Sequence, residues 1–89
     1  MKAYQFVYTD RFQKHYTALS IRERDLVKRK LELLSTNPSH PSLRTKRIKG
    51  TDMLFECSVN MDIRVIWYYE GKSIIILAYI GRHDILKQF

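Results

Sequence analysis

The sequence predicts an α+β fold with elements in the order β-α-α-β-β-β, on three observations. Apolar residues recur with a helical period from Phe12 to Leu34, and strand-like runs fill the chain from Leu54 to Ile80. Between them, residues 37–51 (NPSHPSLRTKRIKGT) combine two prolines, a glycine and a basic cluster that interrupts every period.

The first element is Tyr4–Tyr8 (YQFVY), whose aromatic and β-branched residues suit a strand. Thr9-Asp10 offers an N-cap, and Phe12, Tyr16 and Leu19 follow at i, i+4 and i+7 as the stripe of a short amphipathic helix. Ser20 with Glu23 fits the capping-box pattern and opens a second helix. Its apolar face, Val27, Leu31 and Leu34 flanked by Leu26 and Leu33, runs to Asn37-Pro38. Helices joined almost without a loop form an antiparallel hairpin. Residues 37–51 read as a loop or irregular edge.

From Leu54 to Val59 the chain alternates, with Phe55, Cys57 and Val59 on one face. Asn60-Met61-Asp62 is a turn, Ile63–Tyr69 (IRVIWYY) a third strand, Glu70-Gly71 a hairpin turn and Lys72–Ile80 a fourth strand. The run SIIILAYI is apolar on both pleat faces, as in a central strand covered on both sides. Gly81 ends it and residues 82–89 form a short tail.

Eighty-nine residues make one domain spanning 1–89. With 45% hydrophobic residues and only three glycines and two prolines, the chain is globular rather than disordered. The single cysteine, Cys57, cannot pair internally, so nothing points to an oxidising compartment. No apolar signal region follows Met1-Lys2, and the longest apolar run, Ile74–Ile80, is far short of the roughly 20 residues of a membrane helix. A cytoplasmic location without membrane attachment is the expectation. Sixteen Lys and Arg against nine Asp and Glu leave a net charge of +7, which favours a polyanionic partner.

The scattered histidines, His15, His40 and His83, show no metal-ligand spacing, and the glycines form no phosphate loop, so no metal or cofactor is expected. Three features could carry chemistry. Arg44, Lys46, Arg47 and Lys49 place four positive charges in six residues, either a solvated loop or a clamp on phosphates. Arg64 lies in an otherwise apolar strand and shares a face with Ile66, Tyr68 and Asp62. A guanidinium there needs a partner, either Asp62 as an ion pair or a phosphate gripped bidentately. Gly81-Arg82-His83-Asp84 ends the buried strand, and His83 at its rim is either an ordinary surface residue or a proton-transfer group.

The order of these elements, with the basic loop, then RVIWYY, then IILAYIGRHD, resembles RelE-type toxins over almost the whole chain, most strongly from Leu43 to Phe89. The resemblance implies a helical hairpin packed on a curved, mainly antiparallel four-stranded sheet. It also implies the toxin of a toxin–antitoxin pair, partnered by a small acidic antitoxin. Many members cut mRNA on the ribosome without a metal: the ribose 2′-OH attacks the adjacent phosphate, leaving a 2′,3′-cyclic phosphate and a 5′-OH. By position, Arg64 resembles the family's phosphate-contacting strand arginine, and His83 lies where members carry Arg or His. Asp62 and His40 resemble the aspartate and loop histidine of the YafQ-like branch. Phe89 resembles a terminal aromatic suited to base stacking, and Arg47 and Lys49 would serve the RNA backbone. The chain departs from the pattern on the strand Leu54–Val59. Phe55, Glu56 and Cys57 stand there where some members carry lysines, and Ser58 stands where the YafQ-like branch has a second histidine. ParE-type relatives share the fold and inhibit DNA gyrase, and a non-catalytic RNA-binding relative is a third reading.

Overall fold

The structure, a computed structural model, describes residues 3–82. Strand β1 (Gln5–Tyr8) leads through Thr9 into helix α1 (Asp10–Thr17). The Thr9 hydroxyl accepts the Phe12 N–H at 3.1 Å and donates to the Leu77 carbonyl at 2.8 Å, so one residue both caps the helix and ties it to the sheet. Helix α2 (Ile21–Thr36) opens on the expected capping box. Glu23 N–H donates to Ser20 Oγ at 3.1 Å, and Ser20 N–H donates to Glu23 Oε1 at 3.0 Å. No Gly or Pro interrupts its sixteen residues, and it stops just before Pro38, where helical backbone is disfavoured.

The sheet continues with β2 (Lys46–Arg47), β3 (Phe55–Ser58), β4 (Ile63–Glu70) and β5 (Ile74–Arg82), in the spatial order β1-β5-β4-β3-β2. Only β1 and β5 run parallel; the other neighbours are antiparallel. The sheet therefore has five strands, not four. The additional strand lies in the segment read as a loop, because its ladder of two residue pairs is too short to leave a period in the sequence. That segment is held by local bonds: a 3₁₀ turn (Pro41–Leu43), Thr45 Oγ1 donating to the Pro38 carbonyl at 2.7 Å, and Thr51 Oγ1 donating to the Ile48 carbonyl at 2.9 Å. Gly50, at φ +86°, supplies the left-handed residue of the second turn.

Both helices pack on one face of the sheet. Phe12 of α1 and Val27, Leu31 and Leu34 of α2 meet Cys57, Val59, Ile63, Val65, Trp67, Ile75, Leu77 and Ile80. Phe55 and Trp67 stack at 4.9 Å between ring centroids. The opposite face carries a smaller cluster, Ile48, Ile66 and Tyr79. As its apolar sequence indicated, β5 is an interior strand, with Ile75, Ile76, Leu77 and Ile80 all buried.

A β-bulge divides β5. The register passes from Trp67↔Leu77 to Ile66↔Tyr79, leaving Ala78 as the extra residue. Ile75 and Leu77 face the helices before it, and Ile80 does so after it, while Tyr79 turns to the opposite face. The strand does not end at Gly81: Gly81 pairs with Arg64 and Arg82 with Ile63. Among the described residues, no helix is long and apolar enough to cross a membrane.

Candidate nucleic-acid interface

The β3–β4 turn organises the rim of the sheet. Asn60 Oδ1 accepts the N–H groups of Asp62 and Ile63, each at 2.8 Å, as an Asx-type turn in which a side chain replaces a backbone acceptor. Arg64 emerges from the second residue of β4 and folds back on this turn. Its Nη1 donates to the Asn60 carbonyl at 2.7 Å and to the Ile63 carbonyl at 3.3 Å. Both protons of one terminal nitrogen are thereby used on neutral acceptors. The Nε–Nη2 edge, the side-on fork that matches two oxygens of a phosphate, makes no hydrogen bond among the described residues. The residue opposite on β5 is Gly81, so no side chain from that position crowds the arginine.

Asp62 does not pair with Arg64. Its carboxylate accepts from Arg82 Nη1 at 2.9 Å, and the same nitrogen donates to Glu23 Oε2 on α2 at 2.8 Å. The bulge explains this choice: one inserted residue turns Arg82 to the helix side, where the α2 terminus offers Glu23. The hydrogen bond from Arg82 holds the Glu23 carboxyl below its ordinary range, and Glu23 in turn holds the guanidinium charged. Arg82 is thus paired with two carboxylates through Nη1, whereas Arg64 is held by carbonyls alone.

Around Arg64 lies an open cavity of about 270 Å³ lined by Lys30, Ser42, Arg44, Ser58, Asn60 and Arg64, with Val59 and Met61 at its edge. No acidic side chain lines it. Lys30 of α2 reaches the Ser42 carbonyl at 3.5 Å. Arg44 closes the 3₁₀ turn in a left-handed conformation (φ 50°, ψ 43°), the only non-glycine residue with positive φ among those described.

The basic loop cluster is divided by strand alternation. Arg44 joins the cavity. Lys46 lies 3.7 Å from Glu56, which is buried on the face opposite the helices. Arg47, the next residue, packs its guanidinium over Phe55 at 5.7 Å, on the helix side. Lys49 is exposed in the turn that follows. His40 is not among the cavity residues. Its Nδ1 accepts the Ser42 N–H at 3.1 Å and caps the 3₁₀ turn, an arrangement that requires Nδ1 to be unprotonated. His83 and Phe89 lie outside the described residues.

Sequence reasoning missed Lys30, Glu56 and Arg82. Lys30 borders the apolar stripe of α2, between Val27 and Leu31, which is a weak sign that it leans toward the sheet. Glu56 was visible only as an acid on the second face of an alternating strand, beside Ser58. The cysteine beside it is no nucleophile: burial pushes the Cys57 thiol up to about 12. Among the described residues, no three His, Cys, Asp or Glu side chains gather as a metal site would require.

No protein-family model and no curated protein sequence matches the chain. Solved structures do. The archaeal RelE–RelB complex from Pyrococcus horikoshii OT3 contains a chain of 15% identity, aligned over 90% of this chain and 94% of its own length with a TM-score of 0.75. The E. coli DinJ–YafQ complex gives 18% identity, 93% and 97% coverage and a TM-score of 0.77. The YoeB/ParE toxin from Agrobacterium tumefaciens gives 12% identity, 89% and 98% coverage and a TM-score of 0.77. Two helices on a mostly antiparallel sheet, matched over nearly the full length of each, give the chain the fold of the RelE/ParE toxin superfamily.

Proposed function

We propose that the protein is the toxin of a type II toxin–antitoxin pair and cuts mRNA held on the ribosome, by attack of a ribose 2′-OH on the adjacent phosphorus. The observation that carries this reading is Arg64, fixed at the rim of the sheet with its bidentate fork unoccupied, within a fold shared with RelE and YafQ. As the 2′-OH gives up its proton to a base and its oxygen bonds to phosphorus, the bond to the 5′-oxygen breaks and that oxygen takes up a proton from an acid, yielding the 2′,3′-cyclic phosphate and a 5′-OH. Arg64 offsets the charge that builds on the non-bridging oxygens. His83 is assigned the proton transfer. Asp62 acts through Arg82, as one of the two carboxylates that fix the end of β5. Positioning by the decoding centre supplies alignment that a protein this small lacks. The partner is an acidic antitoxin, suited to the net charge of +7.

The test is cleavage of message on programmed ribosomes by the intact protein and by Arg64→Ala and His83→Ala. Loss of about 10²–10⁴ in single-turnover rate at His83, with the fold retained, is expected. Intact message together with inhibited DNA gyrase would replace this reading with the ParE-like one. Intact message with RNA binding retained would leave a non-catalytic RNA-binding protein.

A further inference from the structure

Three cations, Lys30 from α2, Arg44 from the 3₁₀ turn and Arg64 from β4, converge on one cavity although they are far apart in the chain. None has a carboxylate within ion-pair distance among the described residues; Lys30 and Arg64 donate to main-chain carbonyls. Like charges gathered without an acid repel one another, and an anion in their midst removes that penalty. The remaining lining also suits an oxyanion. The hydroxyls of Ser42 and Ser58 can donate, and the Asn60 amide nitrogen is unspent because only its Oδ1 serves the turn. A volume of about 270 Å³ exceeds what one small ion fills, and Met61, 91% exposed at the edge, offers an apolar surface beside the charges. Arg44 is held in the left-handed region, a conformation that costs a side-chain-bearing residue energy and marks the position as one where glycine would be easier.

We propose that the Lys30–Arg44–Arg64 cavity is a phosphate-binding pocket that takes a backbone phosphate of single-stranded RNA flanking the one that is cut, with Arg64 standing between the two phosphates. Its assignment to RNA rests on the nuclease reading above; its affinity for a phosphate group does not. A phosphate group fits the site better than a planar carboxylate, because cations reach it from three separate elements and a tetrahedral anion presents oxygens in as many directions.

The experiment follows backbone amide resonances of the full chain during titration, at constant ionic strength, with inorganic phosphate and separately with a short single-stranded oligoribonucleotide bearing 2′-deoxy sugars at the cleavable positions. Saturable shifts of Ser42, Ser58, Asn60 and Met61 are expected with both. The Lys30→Ala/Arg44→Gly double variant should bind each at least tenfold more weakly while keeping a dispersed spectrum. Glycine is chosen at position 44 because it accepts the left-handed backbone, and Lys30→Ala suits a helix. Shifts that never saturate, shifts unchanged in the double variant, or stronger saturation by an oligoglutamate than by phosphate would each overturn the pocket. Saturation by phosphate while the oligonucleotide leaves these four amides unmoved would overturn its assignment to RNA. Failure of the nuclease reading has a different signature: no cleavage on ribosomes, with phosphate still saturating the pocket.

Discussion

Replacing Arg44 by glycine separates the backbone role of this residue from its charge. Arg44 sits at φ 50°, ψ 43°, and its N–H closes the 3₁₀ turn on the Pro41 carbonyl at 3.2 Å. The left-handed region costs an L-residue about 1–2 kcal/mol. Glycine is free of most of that cost but gains about 0.4–1 kcal/mol of freedom in the unfolded chain. The net gain for Arg44→Gly over Arg44→Ala is therefore about 0.5–1 kcal/mol. In a domain of this size that corresponds to about 2–8 °C in Tm. Alanine is the right reference, because both variants lose the same exposed guanidinium and relieve the same repulsion from Lys30 and Arg64, and they differ only in backbone tolerance. Urea denaturation of the two variants measures the difference, and both should bind phosphate more weakly than the parent. Equal stability of the glycine and alanine variants, or lower stability of the glycine variant, would refute the claim that this turn stores strain. A stabilised glycine variant with weakened binding would mark a residue kept for function at a cost in stability.

Three further outcomes are expected. Stability should fall as pH rises from the ordinary thiol value of 9.0 toward about 12, since the buried Cys57 stays protonated in the folded chain and ionises when unfolded; Cys57→Ala should flatten that slope, measured by urea denaturation across the range. At the acid end, the Glu23 carboxyl is held below its ordinary value by Arg82, so its contribution is present above about pH 4.5 and is lost as pH falls through the lowered value; Glu23→Gln should remove that part of the acid sensitivity. In RNA binding, each lost phosphate contact should reduce the slope of log K against log salt by about 0.7, so Arg44→Ala should show the full reduction and Lys46→Ala, already neutralised by Glu56, a smaller one; equal slopes would restore the loop as one undivided clamp.

What was legible in the sequence follows from which signals are periodic. The capping box at Ser20 and Glu23, the helical stripe through Val27, Leu31 and Leu34 and the doubly apolar β5 each leave several mutually consistent residues, and each stands as read. Strand β2 makes only two residue pairs, and the bulge is a single extra residue inside an unbroken apolar run; neither disturbs any period. The same limitation governs the site. Arg64 was visible because a charge breaks an apolar strand, but its partner was not, since Asp62 is two residues away and pairs instead with a residue twenty positions on. Arg44, Lys46, Arg47 and Lys49 look like one cluster in the chain, and pleating sends neighbours to opposite faces. Lys30 joins the cavity only through tertiary packing.

The bulge at Ala78 connects these features. With uninterrupted alternation, Tyr79 and Gly81 would face the helices along with Ile75 and Leu77, while Ile80 and Arg82 would face the side that holds Arg64. Arg82 would then add a further cation to the Arg64 side and lose Glu23. The extra residue moves it away, and its two carboxylate contacts join the start of α2, the β3–β4 turn and the end of β5 at a single guanidinium. With Asp62 occupied there, Arg64 is left on carbonyl acceptors with its side-on fork available. Deleting Ala78 removes the extra residue itself, so Tyr79 follows Leu77 in regular alternation and two things should be kept: Ile80 stays on the helix side, and Arg82 stays on Glu23 and Asp62. Amide and guanidinium resonances of the deletion variant would report both. If Arg82 left Glu23 and Asp62 after the deletion, Ala78 would not be the residue that the ladder bulges out, and the bulge would not be what divides the two arginines between a structural and a ligand-facing role.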